Sequence, residues 1–573
     1  MNDLLRKIAG TFVLASTFGL VACGGSGESS AAAPPPPERI ACAALVNREI
    51  PASEIGLPTR GAQVATAAVV PASGAGASTI PEHCLVSGRI AANDPTAPDI
   101  LFRVAMPTTW NTKAVMTGGG GFNGFLPNFN ARATNSTATE MTPLARGYAT
   151  FGSDGGTPRS PSSPPGIDGS ALASEEAYRN WTGESLKKTR DVAMNLIKAT
   201  YGQLPTRSYF LGKSTGGKEA LVVAGRWPKD WDGIVSHWPA RNVVPLILHF
   251  AHTSQGFSAP GALPNAAKRN VLFQAALQAC DGLDGAVDGI ISSVQRCNSI
   301  FDPATATLSG APVRCAGGAD LGDTCLSDQQ IAALRRMNDE LVFNFSLASG
   351  DSRFPGFNAF ISDTGRDPSS PLFNTVNAYG IGAVAPQFPV TAAMSYSAGF
   401  ADGFFRFAVT HDPGFNYLTL DSQNPGAYVS RLSYLSALDT GDRDLTAFAN
   451  RGGKAMLLHG TEDLLISPRS TQMYYQRLQT VMGVSAVDSF MRYYEVPGMG
   501  HTGVATTFNM AWDQLAALED WVERGIDPGN NLVASDTAGV PGRTRPLCQY
   551  PTFPRYKGTG DINSAASFRC ANS

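Results

Sequence analysis

Charge is scarce in this chain. Of its 573 residues, 16% are Asp, Glu, Lys or Arg, against about 25% in ordinary globular domains. With 43% hydrophobic residues, that scarcity excludes a disordered, self-repelling polymer. Neither sign dominates, because 44 Lys and Arg face 47 Asp and Glu for a formal net charge of −3. No basic surplus is available to neutralise a phosphate backbone, so no nucleic-acid partner is expected. The chain has no C-x-x-C and no Cys/His cluster, which argues against structural zinc. It contains no internal repeat, and beyond residue 22 it has no apolar run long enough to span a bilayer.

What is present begins with an address. Residues 1–22 read as a secretory signal, with Arg6 and Lys7 ahead of a mostly apolar stretch over 8–22. The stretch ends in Leu20-Val21-Ala22-Cys23, which resembles a bacterial lipobox whose Cys is lipidated and becomes the new N-terminus. Gly24, in place of Asp, favours outer-membrane sorting. Residues 23–37, Gly/Ser-rich and then Pro-rich, read as a tether. The expectation is an exported, lipid-anchored protein that meets the membrane only through this anchor. Apart from Cys23, eight cysteines remain, an even number that suggests four disulfides in an oxidising compartment. Many pairings are open to them. Closeness along the chain favours Cys42–Cys84, Cys280–Cys297, Cys315–Cys325 and Cys548–Cys570.

Residues 38–115 read as β-rich, with short apolar segments at 64–70 and 100–106 bounded by Pro and Gly. Further strands are expected at 114–116, 148–154 and 208–212. Residues 186–201 carry a helical stripe closed by Gly202, and a second helix is expected after Gly217 toward Arg226. This alternation predicts a mainly parallel sheet with helices on both faces. It stops near residue 240 and resumes near 446 with a strand at 454–460, a helix at 471–480, a strand at 491–496 and a helix at 510–524. The reading is one α/β domain in two parts, 38–240 and 446–573, interrupted by an inserted lid at 241–445 that reads as irregular.

The chemistry starts at Gly212-Lys213-Ser214-Thr215-Gly216, a G-x-S-x-G between a strand and a helix. A tight strand-to-helix turn lifts the Ser hydroxyl above the sheet edge, and the helix N-terminus favours a developing oxyanion. Ser214 is therefore the candidate nucleophile. In the order Ser, acid, His, His501 in the loop Val496-Pro497-Gly498-Met499-Gly500-His501 is the candidate base. Asp463, in His459-Gly460-Thr461-Glu462-Asp463, is the candidate acid; Glu462 competes for that role, and His459 reads as a buttress. The oxyanion hole is expected from the N–H groups of Thr215 and of Gly119, in the run Gly118-Gly119-Gly120-Gly121.

A second constellation lies in the lid. Asp281, Asp284 and Asp288, separated by turn-forming glycines, suit one hard cation, with the Ala286 and Ile290 carbonyls completing a calcium shell. An Asp/Gly-rich surface turn is the alternative. Phe404, Phe405, Arg406, Phe407, Phe415 and Tyr417 form an aromatic cluster with one cation, readable as lid core or as a wall for a flat acyl group.

Together these residues resemble the tannase/feruloyl esterase family of secreted α/β hydrolases. The likeness spans nearly the whole chain after the tether. It includes Ile80-Pro81-Glu82-His83-Cys84, the segments 118–124, 209–217 and 279–290, Arg451-Gly452-Gly453-Lys454, Val496-Pro497-Gly498-Met499, and Arg543-Thr544-Arg545-Pro546-Leu547-Cys548. It implies an α/β-hydrolase fold with a large inserted lid and a Ser214–Asp463–His501 triad. It implies an oxyanion hole at Gly119 and Thr215, and structural calcium on Asp281, Asp284, Ala286, Asp288 and Ile290. It supports the four disulfides. The implied substrates are galloyl, feruloyl or terephthaloyl esters. One departure stands out: the family pattern joins a Cys before the nucleophile to a Cys after the histidine, and here those positions are Lys213 and Thr502. Esters of aliphatic hydroxyacids, or a non-catalytic binding lipoprotein on the same scaffold, are the alternatives.

Overall fold

In the computed structural model of the protein, residues 39–132, 135–160, 167–439, 441–503, 507–537 and 539–572 are described. The expected signal (1–22), the lipidation site Cys23 and the tether (23–37) lie outside the described residues. Strands covered on both faces must be apolar at consecutive positions, because neighbouring side chains point to opposite sides. Val115-Met116, Tyr209-Phe210, Ile234-Val235 and Leu457-Leu458 meet this demand. Val115, Tyr209, Val235 and Leu458 enter one apolar layer, and Met116, Phe210, Ile234 and Leu457 enter the other.

These strands belong to a ten-stranded sheet. Its members are β1 (Glu49–Ile50), β2 (Ala62–Val70), β3 (His83–Ile90), β4 (Ile100–Pro107), β5 (Lys113–Thr117), β6 (Ala149–Ser153), β7 (Arg207–Lys213), β8 (Gly233–His237), β9 (Lys454–Gly460) and β10 (Met491–Val496). The order across the sheet is β1-β2-β3-β4-β6-β5-β7-β8-β9-β10. The first four strands form an antiparallel meander, and β4 meets β6 antiparallel. From β6 to β10 every pairing is parallel. Registers such as Thr117 with Leu211, Lys213 with His237, and Gly460 with Val496 bring the C-terminal ends of these strands to one edge.

Helix α1 (Ser185–Tyr201) ends at Gly202 in the left-handed region, φ 78°, as its sequence predicts. Helix α2 (Thr215–Arg226) begins directly after Ser214, earlier than expected, so Gly216 and Gly217 fall in its first turn. The expected lid lies between the end of β8 and the start of β9, and it is substantially helical, not irregular. It holds α3 (Val243–Ser258), α4 (Ala266–Cys280), α5 (Phe373–Tyr379) and α6 (Tyr396–Gly403). Helix α3 escaped sequence reading because Val243-Val244-Pro245-Leu246-Ile247-Leu248 is buried all round and leaves no polar face to mark a period. Within the lid, Phe404, Phe405 and Tyr417 are core residues, and Arg406 pairs with Asp402 at 2.8 Å. Three of the five aromatic rings of that cluster are therefore lid core. Helix α7 (Pro468–Met482) is capped by Ser467. Helix α8 (Gln514–Arg524) is shorter than expected, because Met510–Ala511 pairs instead with the strand Val533–Asp536. The disulfides are Cys42–Cys84, Cys280–Cys297, Cys315–Cys325 and Cys548–Cys570, the pairs that chain proximity favoured.

Candidate active site

Ser214 follows β7 with φ 58° and ψ −123°, a conformation that costs a non-glycine residue and recurs at reactive turns. The surroundings hold it there. Its N–H donates to His237 O at 3.0 Å, and its carbonyl accepts Lys218 N–H at 3.1 Å and Ala240 N–H at 3.0 Å. The flanking glycines are required by close approach. A β-carbon on Gly212 would collide with the carbonyl of Gly216, and one on Gly216 would lie 2.8 Å from Gly119 O. The elbow is thereby pressed against the glycine loop that follows β5.

Asp463 follows β9 and is fully buried. Its Oδ1 accepts the N–H groups of Leu465 at 2.9 Å and Ile466 at 2.8 Å. Its Oδ2 accepts from His501 Nδ1 at 2.8 Å and lies 3.3 Å from His459 Nε2. Burial alone would raise this carboxyl, but His501 and His459 beside it hold it well below the usual range. A carboxylate only accepts, so His501 carries its proton on Nδ1 and leaves Nε2 free to act as a base. His459 Nε2 meets Ile466 O at 2.9 Å, and its Nδ1 meets Thr471 Oγ1 at 2.8 Å. It braces the acid loop. Glu462 points elsewhere: Oε2 accepts from Thr507 Oγ1 at 3.1 Å, and burial with the nearby Asp363 carboxylate pushes it up to about 8. Among the described residues it is Asp463, and not Glu462, that is hydrogen-bonded to His501.

His501 sits in a turn after β10, with its ring 6.0 Å from Trp238 and 5.0 Å, edge-on, from Tyr379 at the end of α5. Trp238 adjoins His237, whose carbonyl receives the Ser214 N–H. The nucleophile and histidine loops thus meet around one pair of residues. Tyr379 is hydrogen-bonded to Thr502. Lys213 is half-buried and donates from Nζ to Asn135 Oδ1; desolvation pulls it down to about 8, against the opposing pull of Glu140. Asn135 in turn gives its carbonyl to Trp512 N–H at 3.3 Å. Two polar links therefore stand at the positions that the family pattern joins by a disulfide.

The glycine loop corrects one expectation. The Gly119 N–H is already taken: it donates to Glu219 Oε2 at 2.8 Å. The Gly120 N–H is taken by Asn123 Oδ1 at 2.8 Å, and Asn123 Nδ2 donates to Glu219 Oε1 at 3.0 Å. Gly121, at φ 58°, is the loop glycine that reaches the site. Its carbonyl accepts Thr215 Oγ1 at 2.8 Å and Trp181 Nε1 at 3.0 Å. It lines, with Ser214 and Thr215, a small cavity of about 30 Å³ walled by Phe122, Trp181, Val243, Ile247, Phe250 and Phe400. Among the described residues no acceptor takes the Gly121 N–H. The Thr215 N–H opens α2, where first-turn donors have no partner in the helix.

In the lid loop, Asp281 accepts Gly289 N–H at 3.0 Å, and Asp284 Oδ1 accepts Ala286 N–H at 2.9 Å. Among the described residues Asp284 Oδ2 is buried with no hydrogen bond of good geometry, and the Ser292 hydroxyl is its polar neighbour. Asp288 Oδ1 accepts Ile290 N–H at 3.0 Å, and its Oδ2 is paired with Arg545. Burial pushes Asp284 up to about 6, and Asp288 and Asp281 add to the rise. The oxygen-only donor set fits a hard cation. Among the described residues, however, no three acidic, His or Cys side chains are gathered in a metal-holding group, and a cation here would share Asp288 with Arg545.

Comparisons with known proteins identify the family and the fold. The profile of the family "Tannase and feruloyl esterase" matches residues 84–571. An uncharacterized esterase of Agrobacterium fabrum is 35% identical over 538 residues, covering 93% of each chain. The mono(2-hydroxyethyl) terephthalate hydrolase of Piscinibacter sakaiensis is 32% identical over 535 residues, covering 87% of this chain and 86% of its own. Among solved structures, feruloyl esterase B from Aspergillus oryzae superposes with a TM-score of 0.71 at 22% identity, over 91% of this chain and 98% of that one. This last likeness is one of fold.

Proposed function

The chain belongs to the tannase and feruloyl esterase family of carboxylic ester hydrolases, and from that premise we propose that it is an exported serine esterase acting on esters of aromatic carboxylic acids. The observation that carries the mechanism is the 2.8 Å hydrogen bond from His501 to buried Asp463, at the same sheet edge as the strained Ser214.

In this reading Ser214 Oγ attacks the ester carbonyl carbon while His501 Nε2 takes the hydroxyl proton. Asp463 keeps the imidazole in the right tautomer and stabilises the imidazolium. The tetrahedral oxyanion is received by the N–H groups of Thr215 and Gly121, the latter replacing Gly119 for the reason given above. His501 then gives its proton to the departing alkoxide, and the alcohol leaves an acyl-Ser214. A water, deprotonated by His501, attacks the acyl carbonyl. Collapse of the second intermediate returns the proton to Ser214 and releases the acid.

Two further parts of the reading concern the setting. Four disulfides support an oxidising destination. The N-terminal signal with its lipobox at Cys23 supports an outer-membrane lipoprotein. In the lid, Asp281, Asp284 and Asp288 with the Ala286 and Ile290 carbonyls would hold calcium, supported by the buried Asp284 Oδ2 with no hydrogen bond of good geometry among the described residues. The ion would brace the loop next to the Cys280–Cys297 bridge and take no part in the chemistry.

The test is hydrolysis of methyl gallate, methyl ferulate, mono(2-hydroxyethyl) terephthalate and p-nitrophenyl butyrate by purified protein, beside Ser214→Ala. Ser214-dependent turnover of an aromatic-acid ester is expected. Turnover of the butyrate alone moves the substrate to aliphatic esters. No turnover, together with no labelling by a serine-directed fluorophosphonate, favours a binding lipoprotein.

A further inference from the structure

The cavity beside Ser214 is unusual in what its walls offer a substrate. Apart from Ser214 and Thr215, every side chain that lines it is apolar. The two polar hydrogens nearest to hand are already spent, since Trp181 Nε1 and Thr215 Oγ1 both donate to Gly121 O. No charged side chain lines it among the described residues. The buried cations of the neighbourhood are held outside it by their own carboxylates. Lys218 lies against the Trp181 ring and 3.7 Å from Asp439, and Arg241 is paired with Asp442. The amides of Gly121 and Thr215 are reserved for the ester oxygen in the reaction.

We infer that the part of the ester bound in this cavity is neutral and weakly polar: a plain aryl or alkyl group, bearing neither a free carboxylate nor a ring of hydroxyls. The inference rests on the esterase reading above and narrows it. A carboxylate entering the cavity gives up its hydration and finds no cation or donor in return, which is a heavy penalty. Phenolic hydroxyls lose water in the same way for a smaller penalty. Within the three acyl classes that the family suggests, this disfavours the galloyl ring and the terephthalate half-ester. Aromatic walls favour an uncharged flat ring.

The test uses the purified protein with methyl benzoate, dimethyl terephthalate, monomethyl terephthalate and methyl gallate, each beside Ser214→Ala. The diester and the half-ester have nearly the same shape, so their ratio reads charge alone. The expected kcat/KM for dimethyl terephthalate exceeds that for the half-ester by at least about tenfold, and methyl benzoate exceeds methyl gallate in the same sense. Ile247→Arg, which brings a cation to the wall, is expected to narrow the first ratio. If that variant does not fold, the wild-type ratio decides. Equal turnover of diester and half-ester by Ser214 overturns the inference and leaves the esterase reading standing. Absence of Ser214-dependent turnover on every ester overturns both.

Discussion

The carboxylate of Glu219, on the second turn of α2, accepts the N–H of Gly119 at 2.8 Å. Through its other oxygen it also accepts from Asn123, so one buried side chain directly behind the nucleophile fixes both ends of the glycine loop. The loop is a clamped element, and its reach into the site begins at Gly121.

Loss of that clamp is expected to register in catalysis before binding. Glu219→Ala releases Gly119 and Asn123, and the Gly121 amide is no longer held in place. Removal of an oxyanion donor outright lowers kcat by about 100-fold or more, so a loosened donor is expected to lower it by about 10-fold, with KM little changed. Steady-state kinetics on any ester that the wild type hydrolyses checks this. A matching change in KM alone contradicts it.

Lys213 ties the elbow to Asn135, which is bonded in turn to the segment ahead of α8. Lys213→Met keeps the apolar stem and removes the donor. The expected outcome is a fall in kcat of about fivefold and a loss of about 1–2 kcal/mol in stability, the cost of leaving the amide oxygen of Asn135 without its charged partner. Urea denaturation and initial rates measure the two effects separately.

Glu462 makes stability depend on pH. Its folded pKa, about 8, lies above the ordinary value of 4.5 because of burial and the neighbouring Asp363. Below 4.5 the folded and unfolded states both hold the proton. Between 4.5 and about 8 only the folded state does, so stability falls as pH rises through this window. Glu462→Gln stays neutral and retains an acceptor for Thr507. It is expected to match the wild type at pH 4 and to exceed it at pH 9, by up to about 5 kcal/mol. Thermal unfolding at the two pH values is the measurement, and equal stability at pH 9 rejects the argument.

Calcium in the lid loop is expected to appear as a stability increment. Ligand binding to the folded state alone adds about 2.7 kcal/mol at one hundred times the dissociation constant. A chelator should therefore lower the melting temperature of the wild type, and added calcium should restore it. Asp284→Asn should remove the difference between the two conditions. A wild type indifferent to chelator and to added calcium removes the ion from the account.

Which parts were legible in the chain alone follows from how far each interaction reaches. Consecutive apolar pairs such as Tyr209-Phe210 report a strand covered on both faces, because side-chain alternation is a local property. Gly212-Lys213-Ser214-Thr215-Gly216 reports a tight turn for the same reason. Cysteine partners close along the chain found each other where short loops make closure cheap. Choices made between distant segments were not legible. Gly119 and Gly121 look alike in a run of four glycines, and they are told apart by Glu219, one hundred residues away. Asp463 and Glu462 are neighbours, and only the fold turns one toward His501 and the other toward Thr507. The lid helices hid because helices buried all round carry no amphipathic period. The sequence by itself determined the central strands and the tight strand-to-helix turn at Ser214. The tertiary structure decided which glycine amide Glu219 takes, which carboxylate meets His501 and which cavity adjoins Ser214, because hydrogen bonds and packing between remote segments select among groups that are locally equivalent.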